Sequence, residues 1–143
     1  IEIRVSVEDM RWTTEQLLES VGMPGTDARQ TADVLIYADV RGIDTHGVSN
    51  MLRVYLKQLQ DGGINPTPKW GITRENKATC VIDGDGGHGM VVSPAGMNEA
   101  IQRASEFGIE LGRARVAATY RILCRSASSL VFSFSESSSK PAL

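Results

Sequence analysis

The segment DVRGIDTHGVSNMLRVYLKQLQDGGINP, residues 39–66, gathers the side chains of this sequence best suited to chemistry. His46 is one of only two histidines in the chain. An imidazole titrates near neutral pH, so it can give or take a proton without much tuning. Thr45 beside it can orient the ring or hydrogen-bond a substrate oxygen. Arg53 follows seven residues on, which along an unbroken helix is two turns on the same face. Its planar guanidinium can clamp a carboxylate through two parallel N–H bonds. Asn50, a turn from both, offers a further polar contact. Together they suit a small 2-oxo or 2-hydroxy acid. The plainer alternative is a cap and turn, with Asp44 or Thr45 accepting from helix amides and Arg53 solvated. Spacing does not choose between the two.

A second candidate is the glycine-rich GDGGHGM at residues 84–90. Phosphate cradles use glycines so that backbone amides can approach an anion at a helix N-terminus. This run matches neither GxGxxG nor GxxxxGK[ST], and Asp83 and Asp85 would repel a pyrophosphate. It reads as a turn after a strand, with His88 an exposed loop residue. The two aspartates are too sparse for a calcium loop. No zinc-ligand spacing, nucleophile elbow or nucleic-acid motif is present, so no metal is expected.

These groups must be positioned by helices. Ser6 followed by Asp9 resembles a capping box opening a helix over 7–21, with Val7, Met10, Leu17, Leu18 and Val21 as its apolar stripe. Thr26 or Asp27 caps a second helix carrying Ala28, Thr31, Ala32, Leu35, Ile36 and Asp39, which Gly42 stops. A third is predicted over 48–61, with Met51, Leu52, Tyr55, Leu56 and Leu59 on one side, broken by Gly62, Gly63 and the Pro66–Pro68 pair. The texture then changes. TCVIDGD (79–85) has the β-branched content of a strand, and 93–107 is a helix with Met97, Ala100, Ile101 and Ala104 periodic. Another strand is expected directly after Gly108. The fold class is α/β (α+β), with N-terminal helices leading into an αβ unit.

With 41% hydrophobic residues, the 143-residue chain can bury the core of one ordinary domain. A net charge of −2 gives no broad attraction to nucleic acid or acidic membranes. No apolar run reaches the roughly 18 residues that span a bilayer, and the first residues carry charges and no apolar stretch typical of a signal peptide. Cys80 and Cys124 read as free thiols in a reducing, cytoplasmic setting.

ADVRGIDTHGVSNMLRVYLKQLQDGGINPTPKW, with VIDGDGGHGMVVSPAGMNEAIQRASEFGI downstream, closely resembles the N-terminal part of the malate/L-lactate dehydrogenase family. That family includes ureidoglycolate, sulfolactate and diketogulonate oxidoreductases. The resemblance covers residues 5–109, and RGID-[ST]-HG followed by a helix and GGINP is its most specific part. It implies a non-Rossmann fold, NAD or NADP as cofactor, and small 2-oxo and 2-hydroxy acids as substrates. It also implies His46 as proton donor or substrate contact, Thr45 facing the substrate, and Arg53 as the nearest equivalent of a carboxylate-binding arginine. A homodimer with active sites near the interface is implied too.

After Gly108 the family pattern stops. ELGRARVAATYRILCRSASS shows neither the second histidine loop nor the cofactor-binding segments of relatives, and a serine-dense tail follows. Residues 1–108 are therefore expected to form the family-like part. Residues 109–143 are expected to be a divergent tail, disordered or frameshifted, with SSLVFSFSESS alternating like an exposed strand. A chain truncated in this way is expected to be inactive or nearly so alone. The alternatives are a non-catalytic module that pairs with itself or with a full-length relative, and a gene product without function.

Overall fold

A computed structural model describes residues 4–77 and 79–108, together with the backbone of two later strands at 111–115 and 121–125. The chain divides into two compact units, Ile1–Thr67 and Pro68–Leu143.

The first unit is helical. α1 (Val7–Ser20) opens as its sequence predicts: the Ser6 hydroxyl accepts from the Asp9 amide at 3.0 Å and donates to the Asp9 carboxylate at 2.7 Å. Its inward face differs from the expected stripe. Thr14 and Leu18 are the buried positions, while Val7 and Leu17 are exposed. Thr14 tolerates burial because its hydroxyl returns to the Met10 carbonyl at 2.8 Å, leaving no polar atom unsatisfied. After Gly22 reverses the chain at a left-handed φ of +94°, α2 (Gly25–Val40) follows. Neither Thr26 nor Asp27 caps it. Pro24, with φ −59°, occupies the N-cap, so the chain enters the helix earlier than the side-chain signal suggests. Ala28, Thr31, Ala32, Leu35 and Ile36 are buried as expected. The predicted third helix is divided. A π-helical turn (Val48–Leu52) precedes α3 (Arg53–Gln60), and Leu52 and Leu59 face inward.

The second unit is a mixed sheet with one helix. The strands run in the order β1 (Gly71–Asn76), β2 (Thr79–Asp83), β3 (Leu111–Arg115), β4 (Arg121–Arg125). β1 and β2 pair antiparallel, β2 and β3 parallel, β3 and β4 antiparallel. The parallel pair requires a long crossover, supplied by α4 (Gly89–Phe107). A strand was expected directly after Gly108, and β3 begins at Leu111. Val92 of α4 is buried with Cys80 and Ile82 of β2, and Gly96 lets the helix approach until a Cβ there would lie 3.3 Å from Ile82 Cδ1. Arg103 ties the helix to the sheet edge, pairing with Glu75 at 2.5 Å and Glu99 at 2.8 Å. α4 starts before the expected position 93, because the amides of Val91 and Val92 both reach the His88 carbonyl at 3.0 Å. Pro94 therefore sits inside the helix. Ile101, placed inward by periodicity, is exposed. The strand expected in SSLVFSFSESS lies outside the described residues.

No helix among the described residues is long and apolar enough to cross a membrane. None of their His, Cys, Asp or Glu side chains cluster in threes that could hold a metal ion. Cys80 is buried and in no disulfide.

Candidate active site

α2 ends by turning at Gly42, whose φ of +72° favours glycine. The Ile43 amide reaches back to the Ala38 carbonyl at 2.9 Å. Asp44–His46 then make a short 3-10 turn, held by the His46 amide on the Ile43 carbonyl at 2.9 Å. Thr45 and His46 both project to solvent. The Thr45 hydroxyl lies 2.9 Å from His46 Nδ1. Asn50 braces this turn from the π-helical segment, its side-chain amide donating to the Asp44 carbonyl at 2.7 Å.

The cap-and-turn alternative assigned the helix amides to Asp44 or Thr45. In the structure Asp39 takes that role, its Oδ2 accepting from the Val48 amide at 2.9 Å. Thr45 is left for the imidazole. Asp39, which the spacing places last in a helix stripe, thus adjoins the candidate site. The available signal was an acid ending a run that is otherwise apolar or small.

Arg53 does not share a helical face with His46. Gly47, with φ −87° and ψ −175°, is extended between them, and the wider π-helical turn alters the angular step before α3 begins. Thr45, His46 and Asn50 are brought together; Arg53 opens α3 and lines a surface groove of about 380 Å³ with Val54, Lys57, Gln58 and Asp61. Its guanidinium is exposed and makes no hydrogen bond or ion pair with another described residue.

The glycine turn of the second unit is closed rather than cradle-like. Asp85, at φ +50°, accepts the Lys69 amide at 2.9 Å, and its own amide donates to Asp83 Oδ1 at 3.1 Å. The Gly87 amide is spent on the Gly84 carbonyl at 2.8 Å. A Cβ at Gly87 would lie 2.6 Å from Pro68 carbons, so the glycine serves close packing. His88 is not an exposed loop residue. It is 3% exposed, because the early start of α4 makes it the helix N-cap. Burial lowers its pKa to about 4.

Residues 5–129 match the family model described as malate/L-lactate dehydrogenase. The chain is 38% identical over 120 residues to a malate dehydrogenase of Pyrococcus horikoshii, covering 84% of this chain and 33% of that protein. It is 42% identical over 93 residues to an L-sulfolactate dehydrogenase of Methanocaldococcus jannaschii, covering 65% of this chain and 27% of that protein. To a ureidoglycolate dehydrogenase (NAD(+)) of Escherichia coli it is 29% identical over 107 residues, 75% of this chain and 30% of that protein. The solved P. horikoshii malate dehydrogenase superposes with a TM-score of 0.77, over 84% of this chain and 34% of that one. The chain thus spans about a third of the length of these relatives.

Proposed function

The chain belongs to the malate/L-lactate dehydrogenase family, and from that premise we propose that it carries the substrate and proton-transfer site of an NAD(P)-dependent oxidoreductase of small 2-oxo and 2-hydroxy acids. The observation that supports this reading is the exposed imidazole with Thr45 Oγ1 at 2.9 Å from its Nδ1. In the imidazolium both ring nitrogens carry protons: Nδ1–H donates to Thr45 Oγ1, and the Nε2 proton can be given to a carbonyl oxygen, leaving the neutral ring. In that neutral ring Nδ1–H still donates to Thr45, and Nε2 is an acceptor that takes a proton from a hydroxyl. One pair thus serves both directions of a reversible 2-oxo/2-hydroxy interconversion. Arg53 binds the substrate carboxylate, and the Asn50 side-chain oxygen adds a polar contact. The assay that tests the reading follows NAD(P)H oxidation by the purified chain with a panel of 2-oxo acids, including pyruvate and oxaloacetate. Absence of turnover with every acid would reduce the dehydrogenase to ancestry.

The relatives' chemistry takes a nicotinamide cofactor, and the glycine turn at 83–89 does not fit one. The Asp85 and Gly87 amides are engaged internally, Asp83 and Asp85 are acidic, and Pro68 packs against Gly87. No step is routed through it. Turnover by the chain alone is accordingly expected to be barely measurable. A reducing compartment, the cytoplasm, suits a buried Cys80 that is in no disulfide.

Arg53 gives a test that needs no cofactor. Titrated with a 2-oxo acid, Arg53→Gln is expected to bind about 10- to 100-fold more weakly, the worth of a charge-assisted hydrogen bond. An unchanged dissociation constant would remove Arg53 from the site.

A second reading is supported by the outward faces of α1 and α2. Trp12 is 64% exposed, Tyr37 58% and Val40 64%, and large apolar surface of this kind marks contact sites. The partner is a second copy or a longer relative, and the chain acts as an interaction module. Sedimentation is expected to show concentration-dependent dimers; a monomer across the whole range would dispose of self-association.

A further inference from the structure

Gly47 is a glycine for a reason other than backbone freedom. Its φ of −87° and ψ of −175° are open to any residue. What excludes a side chain is Asp39: a Cβ on Gly47 would lie 1.6 Å from Asp39 Oδ1 and 2.3 Å from its Cγ. The other carboxylate oxygen accepts the Val48 amide at 2.9 Å. Gly47 is buried and Asp39 half-buried, so the contact lies beneath the surface that carries Thr45 and His46. The carboxylate therefore closes the base of the loop 39–48, while the Ala38 carbonyl holds Ile43 within it.

From this geometry we propose that Asp39 and Gly47 form a lock that positions the Thr45–His46 pair, with Asp39 a positioning residue acting through the Gly47–Val48 backbone. The role rests on the functional reading above, in which His46 moves the proton. A methyl group at Gly47 can enter only if Asp39 swings away, which breaks its bond to the Val48 amide. Gly47→Ala and Asp39→Ala thus remove one and the same interaction. Their effects must not add. Asp39→Asn keeps a carbonyl oxygen for the Val48 amide and preserves the lock.

The test reads the His46 ring nitrogens by NMR in the full chain, a signal that requires no turnover. Asp39→Ala and Gly47→Ala are each expected to shift them toward the values of freely rotating histidine, the double variant no further than either alone, and Asp39→Asn little. In the 2-oxo-acid assay, kcat is expected to fall about tenfold in both alanine variants, the value of one lost hydrogen bond, with KM almost unchanged. Unshifted ring signals in a folded Asp39→Ala chain, or additive shifts in the double variant, would overturn the proposal. If Asp39→Ala does not fold, Gly47→Ala against Asp39→Asn decides the same point, because Gly47→Ala leaves every α2 side chain in the sequence. A chain without turnover whose His46 signals still depend on Asp39 would sink the dehydrogenase reading and keep the lock.

Discussion

His46→Ala is expected to lower NAD(P)H-linked reduction of 2-oxo acids by about 10²- to 10⁴-fold, the usual worth of a positioned general acid. The reason is local. Thr45 holds Nδ1 at 2.9 Å, which leaves Nε2 as the ring atom for exchanging a proton with the substrate oxygen. Alanine removes that donor without removing Arg53, so binding of the acid should survive while the chemical step fails. Because the wild-type chain is expected to turn over only barely, the comparison calls for concentrated protein and single-turnover conditions. Thr45→Ala keeps the imidazole and should cost less than His46→Ala. Equal rates in wild type and His46→Ala would show that His46 carries no part of the reaction.

The other large effect is on stability. The pKa of His88 is lowered from 6.5 to about 4 by burial at the head of α4. Between those values the unfolded chain binds a proton there that the folded chain does not, so stability rises with pH across this window. The contribution is fully present above about 6.5 and is lost as pH falls toward 4. Its full size is about 3 kcal/mol, of which about 2 kcal/mol is gone by pH 5. Urea unfolding should therefore show a lower midpoint at pH 5 than at pH 7.5, with an unchanged slope. His88→Asn should flatten that part of the dependence, although carboxylates add their own below it. A wild-type midpoint that does not move between these pH values would mean that His88 is protonated alike in both states.

Local rules carried the helical unit a long way. The Ser6–Asp9 cap, the inward run of Ala28, Thr31, Ala32, Leu35 and Ile36, and the stops at Gly22 and Gly42 are all readable from i, i+3 and i+4 spacing and from side chains that serve only their neighbours. The break near Pro66–Pro68 was legible too, and it adjoins the division between the two units. β1 was not, because GITREN lacks an apolar alternation and is a strand by virtue of pairing with β2. The side of a helix that turns inward was only partly fixed: Leu17 and Ile101 satisfy the period but face out, since what buries a residue is the neighbouring element.

The candidate site divides in the same way. The types and order of Thr45, His46, Asn50 and Arg53 mark the segment as chemical, and the family motif around them is carried by sequence alone. Their arrangement is not. Whether Arg53 shares a face with His46 depends on Gly47 being extended and on the π-helical turn after it, and Gly47 is held there by a carboxylate eight residues upstream. His88 changed from loop to buried cap once the backbone of α4 started a turn early. Sequence determines which groups are available and the interactions within a turn of each. Tertiary structure decides burial and mutual position, because these depend on atoms that meet only after the chain has folded.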